Sequence, residues 1–159
     1  MNGETLEGLF KEHYNNALFY ALSLTKNKAL SEDLVADAFF KALQNDSDDA
    51  TSFKSWLLTV IRHSYVSYLR RHKRQSELSE ELSDEGEALL ETIVKDEEYR
   101  ALYHAISLLS EQYREAIMLF YFEDLSVKEI AQVLKKSENH VKTMLCRARI
   151  KLKELLEGQ

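Results

Sequence analysis

The stretch from Leu125 to Leu155, LSVKEIAQVLKKSENHVKTMLCRARIKLKEL, reads as a helix, a break of three or four residues and a second, basic helix. That spacing is the spacing of a helix-turn-helix, and few folds accommodate it. Ser126 followed by Glu129 makes a capping box, in which each side chain satisfies an orphan amide at a helix start, so a helix should begin near Val127. Ile130, Ala131 and Leu134 would be its buried positions, with the small Ala131 where a second helix crosses closely. Lys135 and Lys136 break the apolar pattern, and Ser137 offers a second N-cap.

From Glu138 onward Val141, Leu145, Ala148 and Leu152 recur at spacings of four, three and four, one apolar stripe on a second helix. The other side is polar and mostly basic. Asn139, His140, Lys142, Thr143, Cys146 and Arg147 lie toward its early exposed part, where a recognition helix presents side chains to base edges. Arg149, Lys151 and Lys153 suit phosphate contacts. The plain alternative is a solvated helical hairpin with a lysine-rich face.

A net charge of -6 over 159 residues looks wrong for a nucleic-acid binder until it is mapped along the chain. Arg62 to Arg74 carries Arg62, Arg70, Arg71, Lys73 and Arg74 with no acidic residue, and Lys135 to Lys153 is basic against Glu138 alone. Between them Glu77 to Glu98 holds ten carboxylates against Lys95. Such polarity suggests two DNA-facing modules joined by a tether that DNA would repel.

The remaining composition narrows the class. No apolar run approaches the roughly 20 residues needed to span a membrane, and the amino terminus lacks the layout of a signal peptide, so a cytoplasmic protein with no membrane insertion is expected. The single cysteine, Cys146, has no partner for an internal disulfide, and no Cys/His cluster has zinc spacing, so no metal is expected. Prolines are absent and glycines number four, which favours short connections between helices and an all-α fold.

The amino-terminal half reads as three helices. The first spans roughly Thr5 to Thr25, with Leu6, Leu9, Phe10, His13, Tyr14, Ala17, Leu18, Ala21 and Leu24 on one apolar face, His13 being a satisfied packing histidine. Ser31 should cap a second helix, about Glu32 to Gln44, with Leu34, Val35, Ala38, Phe39 and Leu43 inward and Glu32, Asp33, Asp37 and Lys41 outward. Such an acidic face is usually only solvated, yet it also suits a basic partner. Asn45 to Ser52 is a polar loop. The third helix, about Phe53 to His72, should bury Phe53, Trp56, Leu57, Val60, Ile61, Ser64, Tyr68 and Leu69. This leaves His63, Tyr65, Arg70, Arg71, Lys73 and Arg74 for solvent or a ligand. Basic residues interleaved with aromatics suit single-stranded nucleic acid, since rings stack on bases while cations follow phosphates. The helix dipole alone also favours cations at this end.

These motifs together, SEDLVADAFFKAL (Ser31 to Leu43), FKSWLLTVIRHSYVSYLRRHKR (Phe53 to Arg74), an acidic linker and then the helix-turn-helix, resemble a bacterial ECF (extracytoplasmic function) sigma factor of the sigma-70 family. The resemblance covers nearly the whole chain. It implies two small helical domains: region two over 1–74, an acidic linker over 75–96, and region four over 97–159. Region two would bind the beta-prime clamp of core RNA polymerase through Glu32, Asp33, Asp37 and Lys41. Region two would also open the -10 promoter element at the surface around His63, Tyr65, Arg70 and Arg71. His63 and the loop before Phe53 resemble the place where a non-template base is flipped into a pocket. Trp56 matches the family's WL motif and reads as core. Region four would touch the beta flap and read the -35 element through Asn139, His140, Lys142, Thr143, Cys146 and Arg147. The family also implies a cognate anti-sigma factor.

Some positions depart from the family pattern. Thr59, His63 and Ser67 stand where arginine, asparagine and aspartate are usual, which points to a different base preference in the pocket. Lys135 replaces a common glycine in the turn, and Met144 stands where a basic residue often lies. The linker carboxylates either imitate RNA in a positively lined polymerase channel or form a soluble tether. No nucleophile setting and no glycine-rich phosphate loop is present, so neither enzymatic chemistry nor a cofactor is expected. Two other readings stay open: a stand-alone helix-turn-helix regulator, and a sigma-like module that binds polymerase without opening DNA.

Overall fold

The structure, a computed structural model, describes residues 3–44, 53–72 and 81–158, with side chains from residue 6 onward. Every regular element among these residues is helical: α1 (Gly3–Thr25), α2 (Lys28–Gln44), α3 (Phe53–Arg71), α4 (Asp84–Ile93), α5 (Glu97–Ser107), α6 (Glu111–Ile117), α7 (Val127–Leu134) and α8 (Glu138–Glu157), with a π-helical turn over Met118–Phe122. The all-α expectation holds. The chain divides into two compact units, Met1–Leu89 and Leu90–Gln159. The loop over 45–52, together with Lys73, Arg74, Glu77 and Glu80, lies outside the described residues.

In the first unit α1 is the central element. Its first half is amphipathic, but every residue from Ala17 to Thr25 is buried, because α2 and α3 both pack against it. A helix enclosed on all sides must satisfy its own polar groups. Accordingly the Ser23 hydroxyl donates to the Tyr20 carbonyl at 2.6 Å, and the Thr25 and Ser31 hydroxyls share a hydrogen bond of 2.6 Å. Phe10, expected inward, is 42% exposed, since it lies before α1 enters this enclosed region.

The start of α2 differs from the sequence reading. Asn27, not Ser31, is the capping residue: its side-chain oxygen accepts from the Leu30 amide at 2.9 Å. Ser31 is one turn inside the helix, fully buried, donating to the Asn27 carbonyl at 2.7 Å. Both residue types cap helices well; Lys26, at φ 57°, turns the chain so that Asn27 reaches the cap position first. Ala42 replaces Leu43 in the core, and Leu43 is exposed.

Along α3 the buried set is Ser55, Leu57, Leu58, Ile61 and Tyr65. Leu58 and Tyr65 were not in the predicted core, which instead held the half-buried Phe53, Trp56, Val60, Ser64, Tyr68 and Leu69. The inward stripe is therefore rotated by about one position toward Leu58, Ile61 and Tyr65, which follow one another at spacings of three and four. His13 packs as expected, its ring 5.6 Å from that of Phe53, but it is not satisfied: its Nδ1 is buried without a hydrogen-bond partner.

The stretch read as a linker is partly helical. Ser83 caps α4 by accepting from the Gly86 amide at 3.0 Å, and Asp96 caps α5 by accepting from the Glu98 amide at 2.8 Å. Six of the ten carboxylates, Asp84, Glu85, Glu87, Asp96, Glu97 and Glu98, thus stand at two helix N-termini, where the dipole favours them. Arg100 ties α5 back to the preceding turn through the carbonyls of Val94 and Lys95, at 2.7 and 2.9 Å.

In the second unit α6 and the π turn form a continuous helical run that packs against α8. The π turn inserts one extra residue per turn, closed by the Glu123 amide on the Met118 carbonyl at 3.0 Å. It buries Met118 and Leu119 while leaving Tyr121 at the surface.

Candidate nucleic-acid interface

The helix-turn-helix is built from α7, a turn and α8. Both halves of the Ser126–Glu129 capping box are present: the Glu129 amide donates to Ser126 Oγ at 3.1 Å, and the Ser126 amide donates to Glu129 Oε1 at 3.0 Å. Ile130, Ala131, Val133 and Leu134 are buried. Lys135 ends α7 in the left-handed region, φ 57° and ψ 49°. That conformation is the physical reason a glycine suits this position. Ser137 then caps α8, accepting from the His140 amide at 3.1 Å.

Val141, Leu145 and Ala148 bury one stripe of α8, and Met144 joins them at 3% exposed. Met144 is thus a core residue, not a surface position at which a basic group is missing. Asn139, His140, Lys142, Thr143, Cys146 and Arg147 are all exposed on this one helix. The sequence reading brought these six together, and the structure does the same. Arg149 differs. Its Nε donates to the Tyr121 hydroxyl at 2.6 Å, and its guanidinium lies 5.5 Å from the centroids of both Phe120 and Tyr121. It braces α8 against the π turn instead of standing ready for phosphate.

On the first unit the four proposed polymerase-facing residues, Glu32, Asp33, Asp37 and Lys41, are exposed along α2. Asp37 and Lys41 form an ion pair of 3.0 Å, and Lys41 Nζ also donates to Ser64 Oγ of α3 at 3.3 Å. Beside them lies an apolar groove lined by Leu6, Phe10, Ala36, Phe39, Phe40 and Leu43. Sequence reasoning missed it. The signal was present in Phe40, which falls one residue off the inward stripe of α2 and is 57% exposed.

His63, Arg70 and Arg71 are exposed on α3. Tyr65 is not with them: at 8% exposed it is part of the core, and the reading that left its ring for solvent is corrected. Thr59, in place of the family's arginine, donates its hydroxyl to the Ser55 carbonyl at 2.8 Å and so satisfies itself within the helix. Burial pushes the His13 imidazole below its usual pKa of 6.5, with Glu12 opposing and Lys54 reinforcing that shift. No described helix is long and apolar enough to cross a membrane, and no group of three or more His, Cys, Asp or Glu among the described residues is placed to hold a metal.

Two helical units, one ending in a capped helix-turn-helix with a polar and basic outer face, have the architecture of a helix-turn-helix DNA-binding protein. Residues 9–75 match Sigma-70 region 2, and residues 99–152 match Sigma-70 region 4. The chain is 32% identical to the ECF RNA polymerase sigma factor SigM of Bacillus subtilis over 95% of this chain and 94% of that protein. It is 29% identical to the RNA polymerase sigma factor YlaC of the same organism, over 95% and 91%. Among solved structures, the sigma factor RpoE from Bartonella quintana, in complex with the anti-sigma factor NepR, superposes with a TM-score of 0.72 at 25% identity, covering 95% of this chain and 98% of that one. CnrH, in complex with the cytosolic domain of CnrY, shares the fold with a TM-score of 0.70 at 23% identity, covering 99% and 91%. The chain belongs to the ECF sigma factors of the sigma-70 family, and it is a transcription initiation factor.

Proposed function

We propose that this factor docks on core RNA polymerase through Glu32, Asp33, Asp37 and Lys41, opens the -10 element at His63, Arg70 and Arg71, and reads the -35 element with Asn139, His140, Lys142, Thr143, Cys146 and Arg147. The observation that carries this reading is the outer face of α8: six adjacent exposed side chains, all polar or basic except the thiol of Cys146, on a helix whose other side is locked by Val141, Met144, Leu145 and Ala148. A recognition helix needs that combination, since base edges are read only by side chains whose backbone is fixed. Cations at the end of α3 supply the attraction for a melted strand, and contacts with an extruded base offset the cost of unstacking it. The first domain extends to about residue 74 and the second begins near residue 97. The acidic segment between them links a polymerase-bound module to a promoter-bound one.

The protein acts in the cytoplasm and performs no chemistry of its own; nucleotide polymerisation belongs to the core enzyme. The beta-prime clamp meets α2, and the beta flap meets the second domain. A dedicated anti-sigma factor restrains it, a reading supported by the complex of the similar RpoE with NepR. Binding of fluorescently labelled protein to purified core polymerase, with the housekeeping sigma factor as competitor, tests the central claim. Saturable, competitor-sensitive binding is expected. No binding at micromolar core would overturn it.

A further inference from the structure

The outward face of α8 has an order that charge alone does not describe. Asn139, Thr143, Cys146 and Ile150 follow one another at spacings of four, three and four, and all are exposed. At about 100° per residue they form a single line directly opposite the buried Val141, Leu145 and Ala148. Lys142 and Lys153 flank this line on one side, and Arg147 and Lys151 on the other. The basic residues therefore stand at the two edges of this face, toward the walls of a groove, with Lys151 and Lys153 held 3.8 and 3.9 Å from Glu154 and Glu157, while the centre line faces the groove floor.

Beyond Asn139, whose carboxamide carries donors and an acceptor, that centre line is poor in hydrogen-bond donors. Thr143 donates its hydroxyl hydrogen to the Asn139 carbonyl at 3.1 Å, inside the helix backbone. What it has left for a ligand is an acceptor oxygen turned toward the helix backbone and an outward methyl group. Cys146 offers a thiol, a weak donor that behaves as a small apolar group, and Ile150 offers hydrocarbon. In the major groove only thymine presents an apolar group, its C5 methyl; the other base edges present donors and acceptors.

Resting on the reading of α8 as the -35 helix, we propose that Thr143 is a specificity-determining residue that recognises a thymine methyl group. Its hydroxyl fixes the side chain to the helix, and its methyl makes the contact. Cys146 and Ile150 continue the same apolar line, so the -35 element contains thymine on at least one strand where α8 crosses it.

The experiment uses holoenzyme assembled from the full chain and core polymerase, on a promoter that this holoenzyme selects from a random duplex library. Each thymine of the -35 element is replaced in turn by uracil, which removes only the methyl. At one position binding should weaken about fourfold, the value of one lost methyl contact. Thr143→Ser keeps the hydroxyl and removes the methyl, so thymine and uracil should become equivalent there. A selected element without thymine, equal binding of all uracil forms, or undiminished discrimination by Thr143→Ser would each overturn the inference. Scrambling the whole element separates the two levels. If scrambling abolishes binding but uracil has no effect, α8 reads the element without the methyl; if scrambling has no effect, the assignment of α8 fails as well.

Discussion

Arg149 of α8 donates a 2.6 Å hydrogen bond to the hydroxyl of Tyr121, joining the recognition helix to the π turn that precedes the helix-turn-helix. The guanidinium also faces the Phe120 and Tyr121 rings, so one cation has a hydrogen bond and two aromatic faces. The π turn is what brings two adjacent aromatic residues to the same cation.

Tyr121→Phe should keep the ring contact and lose the hydrogen bond. Both partners are exposed, which limits the effect to about 1 kcal/mol of the second domain's stability. Arg149→Ala removes bond and ring contacts together and should cost more, about 1 to 2 kcal/mol. Urea unfolding of the two variants checks the order. Equal stability of wild type and both variants would remove Arg149 as a brace.

Lys135 stands at φ 57° without the glycine that such a conformation favours. A side chain there costs about 1 to 2 kcal/mol, part of which glycine would return through its greater unfolded-state entropy. Lys135→Gly should therefore stabilise the domain by about 0.5 to 1 kcal/mol, seen as a rise in Tm. A fall in Tm would mean that the lysine side chain compensates for its backbone.

The opposite sign is expected for Ser126→Ala. It removes the acceptor for the Glu129 amide and unsettles the reciprocal bond, and should destabilise the second domain by about 1 kcal/mol. The loss should appear in thermal unfolding. An unchanged Tm would show that water caps α7 equally well.

His13 gives the first domain a pH dependence. Its imidazole is held below the unfolded value of 6.5, chiefly by burial, with Lys54 adding to the effect and Glu12 opposing it. As pH falls through 6.5 the unfolded chain takes up a proton that the folded domain resists, so stability present above this pH is progressively lost below it. Unfolding measured between pH 7.5 and 5.5 should show the decline, at about the values where histidine titrates. His13→Phe should flatten it. A decline that survives in the variant would place its origin elsewhere.

What the sequence made legible follows from where the information is local. The capping box at Ser126 and the cap at Ser137 are decided within one or two turns of helix and are found as read; of the stripe, Val141, Leu145 and Ala148 are buried as read, while Leu152, near the end of α8, is only half-buried. Asn27 took the cap expected at Ser31, because a left-handed Lys26 moved the start of α2, and no pattern in the sequence marks that residue. Tyr65 and Leu58 were misplaced for a different reason. A helix as apolar and aromatic as α3 offers two adjacent stripes, and only packing against α1 and α2 chooses between them. The Arg149–Tyr121 pair was beyond reach, since it depends on a π turn whose sequence, MLFYF, also suits an ordinary helix. The acidic segment was legible as charge but not as two helix starts, because carboxylates favour a helix N-terminus and a solvated tether alike.

Lys142 and Arg147 lie on opposite sides of the centre line of α8, and the interface assigns them different work. Lys142, a compact point charge at one edge, suits a phosphate; Arg147, at the opposite edge, has a planar fork that also suits a guanine edge. Lys142→Ala should weaken holoenzyme binding to all -35 sequences alike and lower the slope of log K against log salt by about one. Arg147→Ala should cost about 1 to 3 kcal/mol on the preferred element and much less on a scrambled one, relaxing specificity as well as affinity. Promoter binding by each holoenzyme, titrated over a range of salt on both duplexes, distinguishes the two. If Arg147→Ala lowers binding to both duplexes equally, the arginine is a phosphate contact, and base reading on α8 falls to Asn139, His140, Thr143 and Cys146.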